Sequence, residues 1–319
     1  MEKKICVIGG GYWGKNHIKT LYEMGNLGGI VETDKDRLAE HLSKYAVQGF
    51  SDLEDAIKES FDGYIVATPA ITHYPIGKKL LSKGLNVLLE KPMTLSTEHA
   101  QELVEIAKES NARLMVGHVL LFHPAIKKIK EIVDSGKLGK LYYAYSNRLN
   151  FGKVRTEEDV FWSFAPHDIS VLNYLIGAPA LEIKAKGSKY LQDNVYDVTM
   201  AQFTYPNNVH AHIFVSWLHP FKEQRLIVVG EKGMISFEDS SKDKSIIYYD
   251  KHVDFVEHQP ILLAEPDEII SYEKKLPLTE ELKYFIENLD GNIEIADGKS
   301  GIEVVKVLET VQKLIDNEN

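Results

Sequence analysis

The chain has 319 residues, 44% hydrophobic and 26% charged, a soluble globular balance that excludes wholesale disorder and fibrous repeats. Its length predicts about two domains at roughly 150 residues each. Asp and Glu outnumber Lys and Arg 47 to 37, and the net charge of −10 opposes general attraction to nucleic acid.

The single cysteine, Cys6, sits in an apolar run, so neither a disulfide framework nor a multi-cysteine zinc site is expected, and a reducing cytoplasm is the natural setting. The apolar run after Met1-Glu2-Lys3-Lys4 is too short for a signal peptide. No run approaches the roughly 18 apolar residues of a membrane span, and no membrane association is expected.

Ile5-Cys6-Val7-Ile8 reads as a strand, broken by Gly9-Gly10-Gly11-Tyr12-Trp13-Gly14 before a helical pattern carrying Ile18, Leu21 and Tyr22. Gly9, Gly11 and Gly14 fit G-x-G-x-x-G: one glycine for a tight turn, one for close approach of a pyrophosphate, one for helix-on-strand packing. Tyr12 and Trp13 fall inside that turn and count with it as cofactor-binding. A second apolar segment, Gly28-Gly29-Ile30-Val31, ends in Glu32, near the place about 20 residues on where a carboxylate grips ribose hydroxyls. Glu32, with Asp34 adding charge, favours NAD over NADP, although Lys35 and Arg37 leave NADP open. The competing reading of Glu32 is a solvated strand end.

Further strands are expected at Tyr64–Ala67, Val87–Leu89 and Leu114–Val116, separated by helical spacing such as Ala100, Leu103, Val104 and Ala107. Strands alternating with helices imply a doubly wound parallel sheet, an α/β Rossmann domain whose ligands collect at the carboxyl ends of the strands. Thr68-Pro69, Glu90-Lys91-Pro92 and Gly117-His118 occupy those ends. Thr72 is placed to cap the helix containing His73.

Past Phe122-His123-Pro124 the texture changes, which puts the domain boundary near 122: a dinucleotide-binding domain at 1–122, then a second domain at 123–319 whose last helix is free to pack back on the first. Strands are expected at Leu141–Phe151, Leu181–Tyr190, Val198–Tyr205, His210–Trp217, Leu226–Val229 and Ile246–Tyr249. Few helices intervene, so the sheet should be open and mainly antiparallel. Late helices carry Leu282, Phe285, Ile286 and Leu289, then Val304, Leu308, Val311 and Ile315.

His167 opens a helical pattern through Ile169, Leu172, Leu175 and Ile176; its imidazole suits proton transfer, and a structural role is the alternative. Asp168 would either orient that ring or cap the helix. Arg148, Lys153 and Arg155 cluster upstream, matching a diphosphate, with Phe161 and Trp162 available to pack on a sugar or base; a solvated basic strand and turn is the bland alternative. His210 and His212 share a strand face and read as structural, and no metal site is expected.

Taken together, Gly9 to Gly14, Thr68-Pro69, Glu90-Lys91-Pro92 and His167 resemble the glucose-fructose oxidoreductase, inositol dehydrogenase and rhizopine-catabolism (Gfo/Idh/MocA) family. The resemblance implies an NAD-dependent sugar dehydrogenase in which Lys91 lies beside the nicotinamide and the reacting hydroxyl, His167 is the catalytic imidazole, and Pro92 follows a cis peptide bond. Thr68, Pro69, His73, Glu90, Lys91 and His118 join the cofactor-binding set, and the open sheet packs against another subunit in a homodimer or homotetramer. Many family members carry aspartates where this chain has Ser163 and Ser170. The stretch from Arg148 to Asp168 resembles the family's nucleotide-sugar branch. That resemblance implies oxidation at carbon 3 of a UDP-N-acetylhexosamine, with Lys91, Arg148, Lys153, Arg155, Trp162, His167 and Asp168 toward the substrate. Uronate, inositol and free-sugar oxidation, and a non-catalytic sensor, stand as alternatives. The roles of Lys91 and His167 are also open to exchange.

Overall fold

The computed structural model describes residues 2–317. By its contacts the chain forms two units: residues up to Phe122 with Lys275–Lys306, and His123–Lys274 with the residues from Val307 on.

The first unit alternates strand and helix: β1 (Ile5–Ile8), α1 (Gly14–Glu23), β2 (Leu27–Val31), α2 (Lys35–Lys44), β3 (Gln48–Phe50), α3 (Leu53–Lys58), β4 (Gly63–Val66), α4 (His73–Leu81), β5 (Val87–Glu90), α5 (Thr97–Glu109) and β6 (Leu114–Gly117). The six strands form one parallel sheet in the order β3-β2-β1-β4-β5-β6. Helices cover both faces of such a sheet, which is why β1, β4, β5 and β6 are buried at every position. The strand order reverses between β1 and β4, and ligands of doubly wound sheets bind at such a switch point.

Asp34 caps α2 by accepting the Asp36 and Arg37 amides at 3.1 Å. Thr72 does not cap α4. Its hydroxyl lies 2.7 Å from Thr68 Oγ1 and from the Pro69 carbonyl, bracing the turn ahead of the helix instead.

The second unit begins with α6 (Pro124–Asp134) and β7 (Leu141–Phe151), followed by α7 (Val160–Ile176), β8 (Glu182–Ser188), β9 (Val198–Tyr205), β10 (Val209–Ser216), β11 (Leu218–Gly230), β12 (Met234–Glu238), β13 (Ile246–Tyr249), β14 (Lys251–Val256), β15 (Gln259–Ala264) and β16 (Glu268–Ile270). Eight strands make an open sheet, β16-β13-β12-β11-β7-β10-β9-β8, antiparallel except where β7 meets β10. β14 and β15 pair separately as a ribbon. Helix α7 lies on one face, against β7, β9 and β10.

α7 starts at Val160, well before His167, and carries Pro166 in its interior. A proline there forfeits one helical hydrogen bond. The burial of Phe161, Ala165, Ile169 and Leu172 on the same helix offsets that loss.

The chain ends in α8 (Pro277–Glu287) and α9 (Gly298–Asn317). α8 packs on α1 and on the short turn Val119–Phe122, with the Phe122 and Tyr284 rings 5.2 Å apart. Its Phe285, with Leu289 just beyond the helix, comes within 3.2 Å of where a Cβ on Gly63 would stand, so that position holds no larger residue without a shift.

Candidate active site

The glycine turn after β1 is shaped by one positive φ, one close approach and one gap. Gly9 has φ +94°, a conformation that costs glycine little and other residues much. A Cβ on Gly14 would stand 1.8 Å from the Gly9 carbonyl oxygen, so α1 starts directly against the strand it follows. At Gly11 a Cβ would meet nothing within 4 Å, and the first amides of α1 receive no side-chain cap. The Lys15 and Asn16 amides bond to the Gly11 and Trp13 carbonyls at 3.1 and 2.9 Å, and the bare backbone of the turn ahead of them, without a side-chain cap, forms a cradle for an anion.

Glu32 sits at the end of β2 and is buried. Its Oε2 accepts from the Gly10 amide at 2.9 Å and from Arg37 Nη1 at 3.1 Å, while Oε1 accepts from the Asp34 amide at 3.0 Å. Burial alone would raise its pKa, but the Asp34 and Gly10 amides and Arg37 hold it below the ordinary range. A carboxylate offers about four acceptor sites, so Oε1 keeps one lone pair for a hydroxyl. Cradle and acceptor together fit a dinucleotide.

Glu90, at the end of β5, ties three elements together. Its Oε1 accepts from the Trp13 indole N–H and from His17 Nε2 at 2.7 Å, and its Oε2 accepts from the Lys91 amide at 3.1 Å. Burial pushes its pKa up, yet His17 and Lys91 outweigh that and lower it. Lys91 itself is half-buried, and the Lys91–Pro92 bond is cis.

His73 braces the opposite side. Its Nε2 lies 2.8 Å from the Thr68 carbonyl and its Nδ1 2.8 Å from the Pro92 carbonyl, so β4's loop is locked to the lysine turn. Glu90 and His73 were expected among the groups that touch a cofactor. Their polar atoms hydrogen-bond the protein and brace the shape of the turns on either side of Lys91. Pro69 and Tyr12 are exposed, and the Tyr12 ring carries Lys15 Nζ at 5.1 Å. His118 is buried with no hydrogen bond to either ring nitrogen among the described residues; burial drives its pKa down to about 4, and the ring is neutral near pH 7.

In the second unit His167 sits midway along α7, where the Ser170 hydroxyl donates to its carbonyl at 2.8 Å. Asp168 lies inside α7, past its start, and so does not cap that helix. Its carboxylate takes a forked pair from Arg148, Nε at 2.8 Å and Nη2 at 3.0 Å, and the Ser146 hydroxyl at 2.6 Å. This buried pair fastens α7 to β7.

The Trp162 indole N–H likewise donates inward, to Gln312 Oε1 at 3.1 Å. Lys153 is exposed in the loop between β7 and α7. Arg155 lies 3.5 Å from Glu158, and its carbonyl accepts from Gln192 Nε2 at 2.8 Å. Of the three expected cations, two therefore remain at the surface. His212 stacks on Tyr145 at 4.8 Å, away from any cluster of three or more ligating groups among the described residues.

His17 and Glu281 went unnoticed in the sequence. Both follow a helical stripe that was visible: His17 three residues after Gly14 and beside Ile18, and Glu281 one turn before Phe285 on the apolar face of α8. A polar residue on a core-facing stripe is the signal that would have found them.

A model described as an oxidoreductase family, NAD-binding Rossmann fold, matches residues 3–118, and the GFO/IDH/MocA C-terminal domain matches residues 126–236. A UDP-N-acetylglucosamine 3-dehydrogenase of Acidithiobacillus ferrooxidans is 25% identical over 314 residues, covering 97% of this chain and 96% of its own. Its solved structure superposes with TM-score 0.88 over 99% of this chain and 98% of that one, at 24% identity. The WlbA dehydrogenase of Bordetella pertussis, solved with NADH and UDP-GlcNAcA, gives 0.81 at 19% identity, covering 100% and 98%. An inositol 2-dehydrogenase of Corynebacterium glutamicum is 26% identical over 58% of each chain. The chain belongs to the Gfo/Idh/MocA family of oxidoreductases, an NAD-binding Rossmann domain followed by that family's C-terminal domain.

Proposed function

We propose that this oxidoreductase removes hydride from carbon 3 of a UDP-linked N-acetylhexosamine, UDP-N-acetylglucosamine first among them, and yields the 3-keto sugar. The observation that carries the reading is likeness along nearly the whole chain to a UDP-N-acetylglucosamine 3-dehydrogenase, with Lys91 and His167 both present. Oxidation breaks the C3–H bond, whose electron pair leaves as hydride, and the O–H bond, whose proton goes to a base as the carbonyl forms. NAD, when bound, supplies the hydride acceptor. The Gly9–Gly14 turn would hold its pyrophosphate and Glu32 its adenosine ribose, a preference for NAD over NADP that rests on the remaining acceptor site of Glu32.

His167 takes the hydroxyl proton, imidazole being the side chain best suited to general-base work around neutrality. Lys91, with the Glu90 carboxylate alongside, acts as the ammonium that holds the hydroxyl and steadies the developing alkoxide. Lys153 and Arg155 are the cations available to a diphosphate. The sheet face bearing Tyr143, Tyr145, His210 and His212 is open, and self-association there into a dimer or tetramer is part of the proposal.

The test mixes protein and NAD with UDP-N-acetylglucosamine, its uronate, inositol and glucose, and follows absorbance of the reduced nicotinamide. Reduction with the UDP-amino sugar supports the proposal. Reduction with inositol or glucose alone overturns the substrate, and silence despite tight nucleotide-sugar binding overturns catalysis in favour of a sensor.

A further inference from the structure

Glu281 is a third buried carboxylate of the first unit, beside Glu32 and Glu90, and nothing in the chemistry above employs it. It lies on α8 with 0% of its surface exposed, and neither carboxylate oxygen has a hydrogen-bond partner among the described residues. α8 packs on α1, which carries His17, and on the Val119–Phe122 turn, which follows His118. The ionisable groups brought to this compartment are His17 from α1, Glu90 and Lys91 from the end of β5, and His118 from the end of β6. The charges on the outer side of α8, Lys283 and Glu287, pair with each other at 3.9 Å.

Two carboxylates in one buried compartment compete, and the one with more donors keeps the charge. Glu90 receives three: the Trp13 indole, the His17 ring and the Lys91 amide. Glu281 receives none among the described residues. Its carboxyl is accordingly held well above the ordinary range, by burial first and by the charge of Glu90 second.

We infer that Glu281 is a proton-holding positioning residue, a carboxylic acid kept neutral beside an ionised Glu90 so that the pair carries one negative charge. That single charge is what Lys91 meets at the end of β5. The effect on Lys91 rests on the dehydrogenase reading above, whereas the proton on Glu281 stands on burial and donors alone.

Infrared spectroscopy of the whole protein tests the proton directly. At about pH 7 the wild type should show the carbonyl band of a buried neutral carboxylic acid, and Glu281→Gln should lack it. In Glu90→Gln the band should persist but titrate away at lower pH, because one of the two influences holding the proton is gone. A wild type without a neutral-acid band that Glu281→Gln removes would overturn the inference. A band whose titration ignores Glu90→Gln would overturn the shared charge. Should Glu281→Gln fail to fold, carbon-13 labelling of glutamate side chains reads the same proton in the unsubstituted protein. One carboxyl resonance should stay at its neutral-acid position through neutrality, and its absence contradicts the claim. Neither readout needs turnover, so a failed dehydrogenase assay and a failed proton assignment are told apart.

Discussion

Lys91 and Glu32 are predicted to fail in different ways. Lys91→Ala removes the group proposed to hold the hydroxyl and leaves the glycine turn and Glu32 intact. Turnover should fall by about 10²–10⁴-fold with NAD affinity near the wild-type value, measured by steady-state kinetics beside fluorescence titration. Glu32→Ala removes the acceptor site and also the anchor of the Gly10 and Asp34 amides. NAD binding should weaken by about 10- to 100-fold, with less discrimination against NADP.

His118 makes a prediction about stability. Burial lowers its folded-state pKa from 6.5 to about 4. Between those values the unfolded chain binds a proton that the folded chain refuses, so stability is full above about pH 6.5 and declines as the pH falls toward about 4. The loss at the bottom of that window is about 3 kcal/mol. Denaturant unfolding across the window should show that slope in the wild type, and His118→Leu should flatten it.

At the scale of elements, α7 depends on one buried ion pair. Asp168→Asn would leave the Arg148 guanidinium short of its counter-charge, at a cost of about 3–5 kcal/mol. Calorimetry should show a clear drop in Tm, with turnover reduced because His167 rides on the same helix. That arrangement was only half visible in the sequence. The apolar spacing Ile169, Leu172 and Leu175 announced a helix, but Pro166 disguised the start, since proline more often opens a helix than interrupts one. Asp168 beside His167 likewise resembled a catalytic pair because spacing along a chain does not reveal that β7 will bring Arg148 to it. β12, the β14–β15 ribbon and β16 went unread as well, being shorter than β9 and β10.

For the molecule as a whole, the Rossmann sheet was legible because strands buried on both faces leave short unbroken apolar runs, with helical spacing between them. The antiparallel sheet was legible in class but not in order: nothing in β7 or β10 marks them as the one parallel pair. The return of Lys275–Lys306 to the first unit, which brings Glu281 into the compartment of Glu90, was legible only as an option for the last helix and not for α8. Contacts between residues that far apart in sequence are fixed by tertiary packing alone.

The central claim is hydride removal from carbon 3 of a UDP-amino sugar. Supplying UDP-N-acetylglucosamine deuterated at carbon 3 with NAD, and examining the recovered nicotinamide by mass spectrometry and NMR, tests it most directly. The account predicts deuterium on carbon 4 of the reduced ring and a ketone at sugar carbon 3, both lost in Lys91→Ala. Reduced cofactor without deuterium, or a ketone at another carbon, would contradict it.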